Sequence, residues 1–267
     1  MIFDRIAAKR RGRELLRASR PRPLLVTLVF LLLTTGLGWG VSRFVTNPFL
    51  EVLTYIARGH DVFDVYAYVF GGGRAMTAIF LSIFLSMLNI VFSFGYTGYT
   101  LRLSRGEETG YGALLLGFGQ VGRVVLLNLY TTLLISLWSM LFYIPGIIAA
   151  YRYSQANRCL LDDPEVGVLE AVRRSKSLMA GKKLELFSLH ISFFGWKLLF
   201  LLLSNGAGTA ASPLVGEMGA GILTTAITIG TELWLKPYMG VVTAMFYDHL
   251  VGRWTTWEEQ TGPRLEF

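Results

Sequence analysis

The chain has few of the residues that build most active sites. Its 267 residues include one cysteine, Cys159, and three histidines. A lone cysteine excludes an intramolecular disulfide and a paired-cysteine metal site. His60, His190 and His249 share no metal-ligand spacing with one another or with paired carboxylates, apart from a loose His60-Asp61-x-x-Asp64 cluster. No G-x-S-x-G, H-E-x-x-H or Walker sequence occurs, so no catalytic centre, metal or cofactor is expected. Charge is scarce too, at 16% of residues against 53% hydrophobic, with a mean hydropathy of +0.49. Those values exclude a soluble domain of ordinary surface.

Long uncharged windows are plentiful instead. They reach the roughly 18 to 20 residues a helix needs to cross a bilayer, so the fold class is all-α, a polytopic helical membrane protein. The net charge of +7 does not point to nucleic acid. Lys and Arg cluster between apolar segments, as they do in cytoplasmic loops.

The reading divides the chain into a basic arm, 1–23, a single transmembrane domain, 24–250, and a cytoplasmic tail, 251–267. The arm carries eight basic residues before the first apolar run and is longer than the basic region of a secretory signal. It is expected to be partly helical, cytoplasmic and laid on anionic lipid, with Pro21 and Pro23 at the membrane entry. Six spans are expected, at about 24–41, 75–101, 124–144, 147–161, 184–204 and 222–250. Both termini are then cytoplasmic, with Arg253, Trp254 and Trp257 at the inner interface.

The third and fourth of these decide the topology. A single crossing over 124–150 would leave Arg173, Arg174, Lys176, Lys182 and Lys183 outside, against the positive-inside bias. A turn at Pro145-Gly146 on the outer face brings all five inside. Asp163-Pro164-Glu165 then reads as a helix start and Gly181 as its end, giving an amphipathic cytoplasmic helix over 164–180. Pro237 is expected to kink the sixth span, and Gly36 to Gly40 could allow close helix packing.

GFGQVG at Gly117 to Gly122 has the G-x-G-x-x-G pattern of a dinucleotide site. Such a site needs an acidic residue about 20 positions later, and the chain reads LWSMLFYIPG there. A flexible glycine-rich re-entry into the membrane is the reading adopted.

Polar groups inside the spans carry the functional expectation, because a charge in hydrocarbon costs at least about 2.5 kcal/mol unless paired or hydrated. The set is Arg152, Gln155, Asn157, Arg158, His190, Lys197, Glu232 and Lys236. Counted from the outer span ends, Arg158 and Glu232 both fall roughly 15 to 18 Å deep. Either Arg158 or Lys236 forms a structural ion pair with Glu232, or the set lines a polar cavity for a hydrophilic ligand or lipid headgroup.

Several stretches resemble one family, the uncharacterised bacterial membrane proteins of domain of unknown function 975. They are Leu137-Trp138, Ile144 to Ile147, Tyr153-Ser154, Asp163-Pro164, Glu170-Ala171 with Ser175, Met179 to Lys183, Leu186-Phe187 and Ser192 to Trp196. FGYTGYTLRLSRGEE and LWLKPYMGVVTAMFYDHL extend the resemblance over roughly 80–250. Asp163 and Glu232 depart from the pattern, so the Glu232 position need not be a family property. The resemblance implies a bacterial cytoplasmic membrane, an all-helical fold and a Pro-Gly turn, and it assigns no substrate. The resulting expectation is a non-enzymatic lipid- or peptide-interacting protein or membrane-complex accessory. Its partners would be membrane lipids, with a membrane protein or a second copy of the chain as further candidates. A small-molecule or ion transporter is the alternative, and an intramembrane enzyme comes third.

Overall fold

The computed structural model describes residues 3–36, 53–54, 56–59, 61, 63–64, 67 and 73–253. Among them every regular element is helical. Ile79–Ser104, Tyr111–Leu141 and Lys183–Leu250 are long and apolar enough to cross a membrane. Most of the Ser42–Arg74 connection with His60, positions 37–41 of the first expected span, Gly40, and the tail with Trp254 and Trp257 lie outside the described residues.

Helix α1, Arg5–Ala18, begins where the Asp4 carboxylate accepts the amides of Ile6 at 2.8 Å and Ala7 at 3.0 Å. Its small residues Ala8 and Gly12 are buried. Gly12 faces Val242, whose side chain would lie 3.1 Å from a Cβ there. Phe3 meets Phe246 edge-on at 5.2 Å, and the Tyr238 hydroxyl donates to the Lys9 carbonyl at 3.2 Å. The arm is therefore docked on protein along one face. Its arginines Arg10, Arg13 and Arg17 stay exposed on the other.

Helix α2, Pro23–Leu31, has proline in its first turn, where the missing N–H costs nothing. Its Thr27 hydroxyl hydrogen-bonds Tyr96 at 2.9 Å, and Phe30 lies 4.4 Å from the Tyr96 ring. Helix α3, Gly73–Ser104, is followed by a 3-10 helix, Tyr111–Gln120. The two touch backbone to backbone. A Cβ at Gly95 would overlap the Leu114 carbonyl, and one at Gly117 would come within 2.5 Å of the Val91 carbonyl. GFGQVG is thus an ordered packing segment rather than a flexible one. Gly119 and Gly122 face open space, so only Gly117 of the three is required to be glycine here.

Helix α4, Val121–Leu141, ends at extended Phe142, and α5, Tyr143–Tyr153, returns beside it. A Cβ at Gly146 would overlap Ser139, while at the other end the Arg123 guanidinium donates to the carbonyls of Pro164 and Val166. Both pairs straddle Phe142, so the helices of this hairpin are antiparallel. The turn is at Phe142, and Pro145-Gly146 sits in the first turn of the returning helix, which tolerates proline for the same reason as α2. Helix α6, Ala156–Asp162, continues the return. The Asp163 carboxylate accepts the Glu165 amide at 3.3 Å in a local turn, and α7 starts only at Val168 and ends at Leu178. Gly181, at φ +73°, makes the reversal into the next helix.

Helix α8, Lys183–Leu250, folds back on itself at Gly216, its only residue with non-helical angles (φ 72°, ψ 172°). Phe193 faces Tyr238 at 5.3 Å, Trp196 faces Trp234 at 6.4 Å, and Thr224 donates to the Ser204 carbonyl at 3.3 Å. Every pair straddles the Gly216 vertex. Helical angles continue through Pro237 and, apart from Gly216, over 205–221, where a loop was expected. Buried residues of α8 concentrate in Leu186–Phe193 and Leu235–Asp248, away from the vertex. This basal half is where α1, α2, α3 and the 3-10 helix share one core cluster, and where α3, α4, α6 and α7 share a second.

Candidate functional site

Two polar zones occupy the basal half. The first is an ionic knot at the helix ends. Arg105, just beyond α3, donates from Nε at 3.1 Å and Nη2 at 2.8 Å to Asp248 Oδ1 near the end of α8. Its Nη1 lies 2.9 Å from Asp162 at the end of α6, and Arg253 reaches the same carboxylate at 2.6 Å. The hydroxyls of Ser104 and Tyr247 donate to Asp248 at 3.3 Å and to Asp162 at 3.2 Å. One guanidinium thereby ties three helix ends together in the planar fork geometry that only arginine supplies.

Burial alone would raise the Asp162 carboxyl, but the bonds from Arg253 and Arg105 outweigh it and hold the group below its ordinary value. Arg105 is likewise held above its ordinary value, because Asp248 and Asp162 overcome the cost of burial. A carboxyl lowered by folding stabilises the fold above its unfolded pKa of about 3.9 and ceases to do so as pH falls through the folded value. Thermal unfolding in detergent should therefore lose stability below about pH 4. Arg253→Gln should flatten that acid limb. Identical acid limbs in both proteins would contradict the assignment.

The second zone contains the eight polar positions expected from sequence, and the structure divides them. Glu232 pairs with Lys197 at 3.8 Å, not with Arg158. Arg158 Nη1 donates to Gln155 at 3.0 Å, and its Nε is buried without a hydrogen-bond partner. The matching depth counted from span ends does not hold, because Arg158 lies four positions from the knot residue Asp162 while Glu232 lies far up the second arm of α8. Lys236 covers the Phe30 ring at 4.5 Å. His190 Nδ1 meets the Tyr151 hydroxyl at 3.3 Å, and both Arg158 and Lys197 are near enough to act on it electrostatically. Gln155 is fully buried, and the Ser175 hydroxyl from α7 bridges its amide at 3.2 Å to the Arg152 carbonyl at 2.9 Å. The Arg152 and Asn157 side chains are half-buried.

The zone therefore holds a cationic belt, with Lys197 and Lys236 beside the single carboxylate of Glu232; Arg158 lies apart from it, on Gln155. The Trp196–Trp234 pair lies at the same height. No group of three or more potential metal ligands occurs among the described residues. Arg105, Asp162 and Asp248 were missed in the sequence, where each reads as an ordinary loop or helix-end charge. Their opposite signs at three basal helix ends were the available signal.

Residues 141–253, from the end of α4 to the knot residue Arg253, match the family Protein of unknown function (DUF975). This is the family that the sequence motifs resemble. No curated protein and no solved structure matches the chain.

Proposed function

We propose that the chain is a cytoplasmic-membrane protein that binds anionic lipid headgroups on its basal, cytoplasmic side. The observation that carries this reading is the excess of cations over carboxylates in the Trp196–Trp234 belt. Two lengths support placing the membrane boundary there. Residues 198–216 of α8 are uncharged and rise about 28 Å, close to the roughly 30 Å of a hydrocarbon core. Glu217 follows at the vertex. From Arg74 to Tyr96, α3 rises about 33 Å, and Tyr96 shares the height of Lys236 through Phe30. Tryptophan and lysine at one height are the usual composition of a membrane interface.

Helix α1 fits the same boundary. Its arginines exclude it from hydrocarbon, and it lies basal to the belt, against Val242 and Phe246. Burial, and then the charges of Arg5 and Arg13, push the Lys9 ammonium below its ordinary value. A surface that crowds cations in this way is complementary to phosphate.

Native mass spectrometry of protein extracted from mixed anionic and zwitterionic vesicles tests the proposal. Anionic phospholipid should be retained in preference. With about 1 kcal/mol per basic residue near a membrane surface, Lys197→Gln with Lys236→Gln should reduce that retention about tenfold or more. Equal retention of both lipid classes by the unmodified protein would contradict the reading.

A further inference from the structure

We infer that the α4–α5 hairpin enters only the cytoplasmic leaflet, with its turn at Phe142 among acyl chains, and does not reach the outer face. The inference rests on the boundary proposed above.

Its basis is the height of the returning helices along the bundle. Tyr151 of α5 touches His190 at 3.3 Å and packs on Phe187 at 5.8 Å. Since Phe193 faces Tyr238, His190 is level with about Gly240 on the second arm, given the common rise of 1.5 Å per residue. Leu161 of α6 packs on Gly98, with its Cδ2 3.2 Å from a Cβ there. Gly98 lies only about 3 Å above Thr100, and Thr100 is the residue that approaches Gly240. Tyr151 and Leu161 are thus both held near the height of Gly240, about 9 Å on the cytoplasmic side of Trp234. From Tyr151 to the turn at Phe142 α5 rises at most about 14 Å, so the turn passes the belt by no more than about 5 Å, well short of the outer face.

The hairpin's surface has one compatible surrounding. No charge occurs between Arg123 and Arg152. Around the turn Met140 is 85% exposed, Phe142 75% and Tyr143 80%, and Leu129, Leu133 and Leu137 are exposed along α4. An apolar element bare on this scale is not left in water, and its backbone bonds are satisfied internally, as hydrocarbon requires. Acyl chains of the leaflet next to the belt are the occupant that the height of the turn allows.

Single cysteines placed in a Cys159→Ser protein test this in right-side-out and inverted vesicles. Glu217→Cys, at the α8 vertex, should react with an impermeant maleimide from outside. Phe142→Cys should not react from outside, and a nitroxide there should show oxygen collisions well above those of an aqueous nickel chelate. If Glu217→Cys reacts outside and Phe142→Cys does so at a similar rate, the hairpin crosses the membrane and the inference is overturned. If Glu217→Cys is silent outside, the boundary itself is wrong. Thermal unfolding of each variant establishes that it is folded.

Discussion

Arg105→Ala should lower stability by about 3 kcal/mol, the low end for removing one partner of a buried ion pair, because the Arg105 side chain is itself 22% exposed. Most of that loss comes from Asp248, whose side chain is 6% exposed and whose carboxylate would be left without its guanidinium partner. Arg105→Lys should recover only part, since an ammonium cannot serve Asp162 and Asp248 with separate nitrogens of one plane. Arg174→Ala is the control. Its pair with Asp163 has a similar separation, 3.0 Å, but is 45% and 42% exposed, so its loss should be far smaller than that of Arg105→Ala. Thermal unfolding of the three variants in one detergent checks the ranking. Equal losses for Arg105→Ala and Arg174→Ala would mean that the knot is only a surface pair.

Gly95→Ala should be the second large effect, on the order of 3 kcal/mol. The added methyl would enter the Leu114 carbonyl and lie close to that of Ala113. Backbone cannot rotate away as the end of a side chain can, so α3 and the 3-10 helix must separate. Gly112→Ala, in the same 3-10 helix but with open space around it, should change stability by no more than about 0.5 kcal/mol. A Gly95→Ala protein as stable as Gly112→Ala would show that the two segments do not pack as described.

The helical membrane character was legible in the uncharged windows, and the paired arms of α8 in the apolar runs 184–204 and 222–250. Their true extent was not, because the stretch NGAGTAASPLVGEMGAG between them is rich in small residues that read as loop and yet stays helical up to Gly216. Pro145-Gly146 was read as a turn dipeptide. In the structure, proline occupies a first helical turn and glycine admits Ser139, one residue type serving two different purposes. The helix start at Asp163 failed in a related way, since its carboxylate caps a short turn before α7.

The polar site was legible as a list of residues but not as a geometry. Counting depth from span ends assumes that spans four and six start at one height, whereas Tyr151 of α5 meets His190, far from the α8 vertex. That assumption paired Arg158 with Glu232, whereas Lys197 is the residue across from Glu232 in the hairpin register. Arg105, Asp162 and Asp248 lie far apart in sequence, and only the fold brings their charges together.

The account stands most directly on the boundary at Trp196–Trp234. It is measured by a cysteine scan of the first arm of α8, from Phe187 to Glu217, in the Cys159→Ser protein in sealed vesicles. Reaction with an impermeant maleimide should occur from the cytoplasmic side up to about Lys197, vanish from both sides over 199–213, and return from the outside at Glu217. Reaction anywhere within 199–213 from either side would place those residues in water and contradict the account.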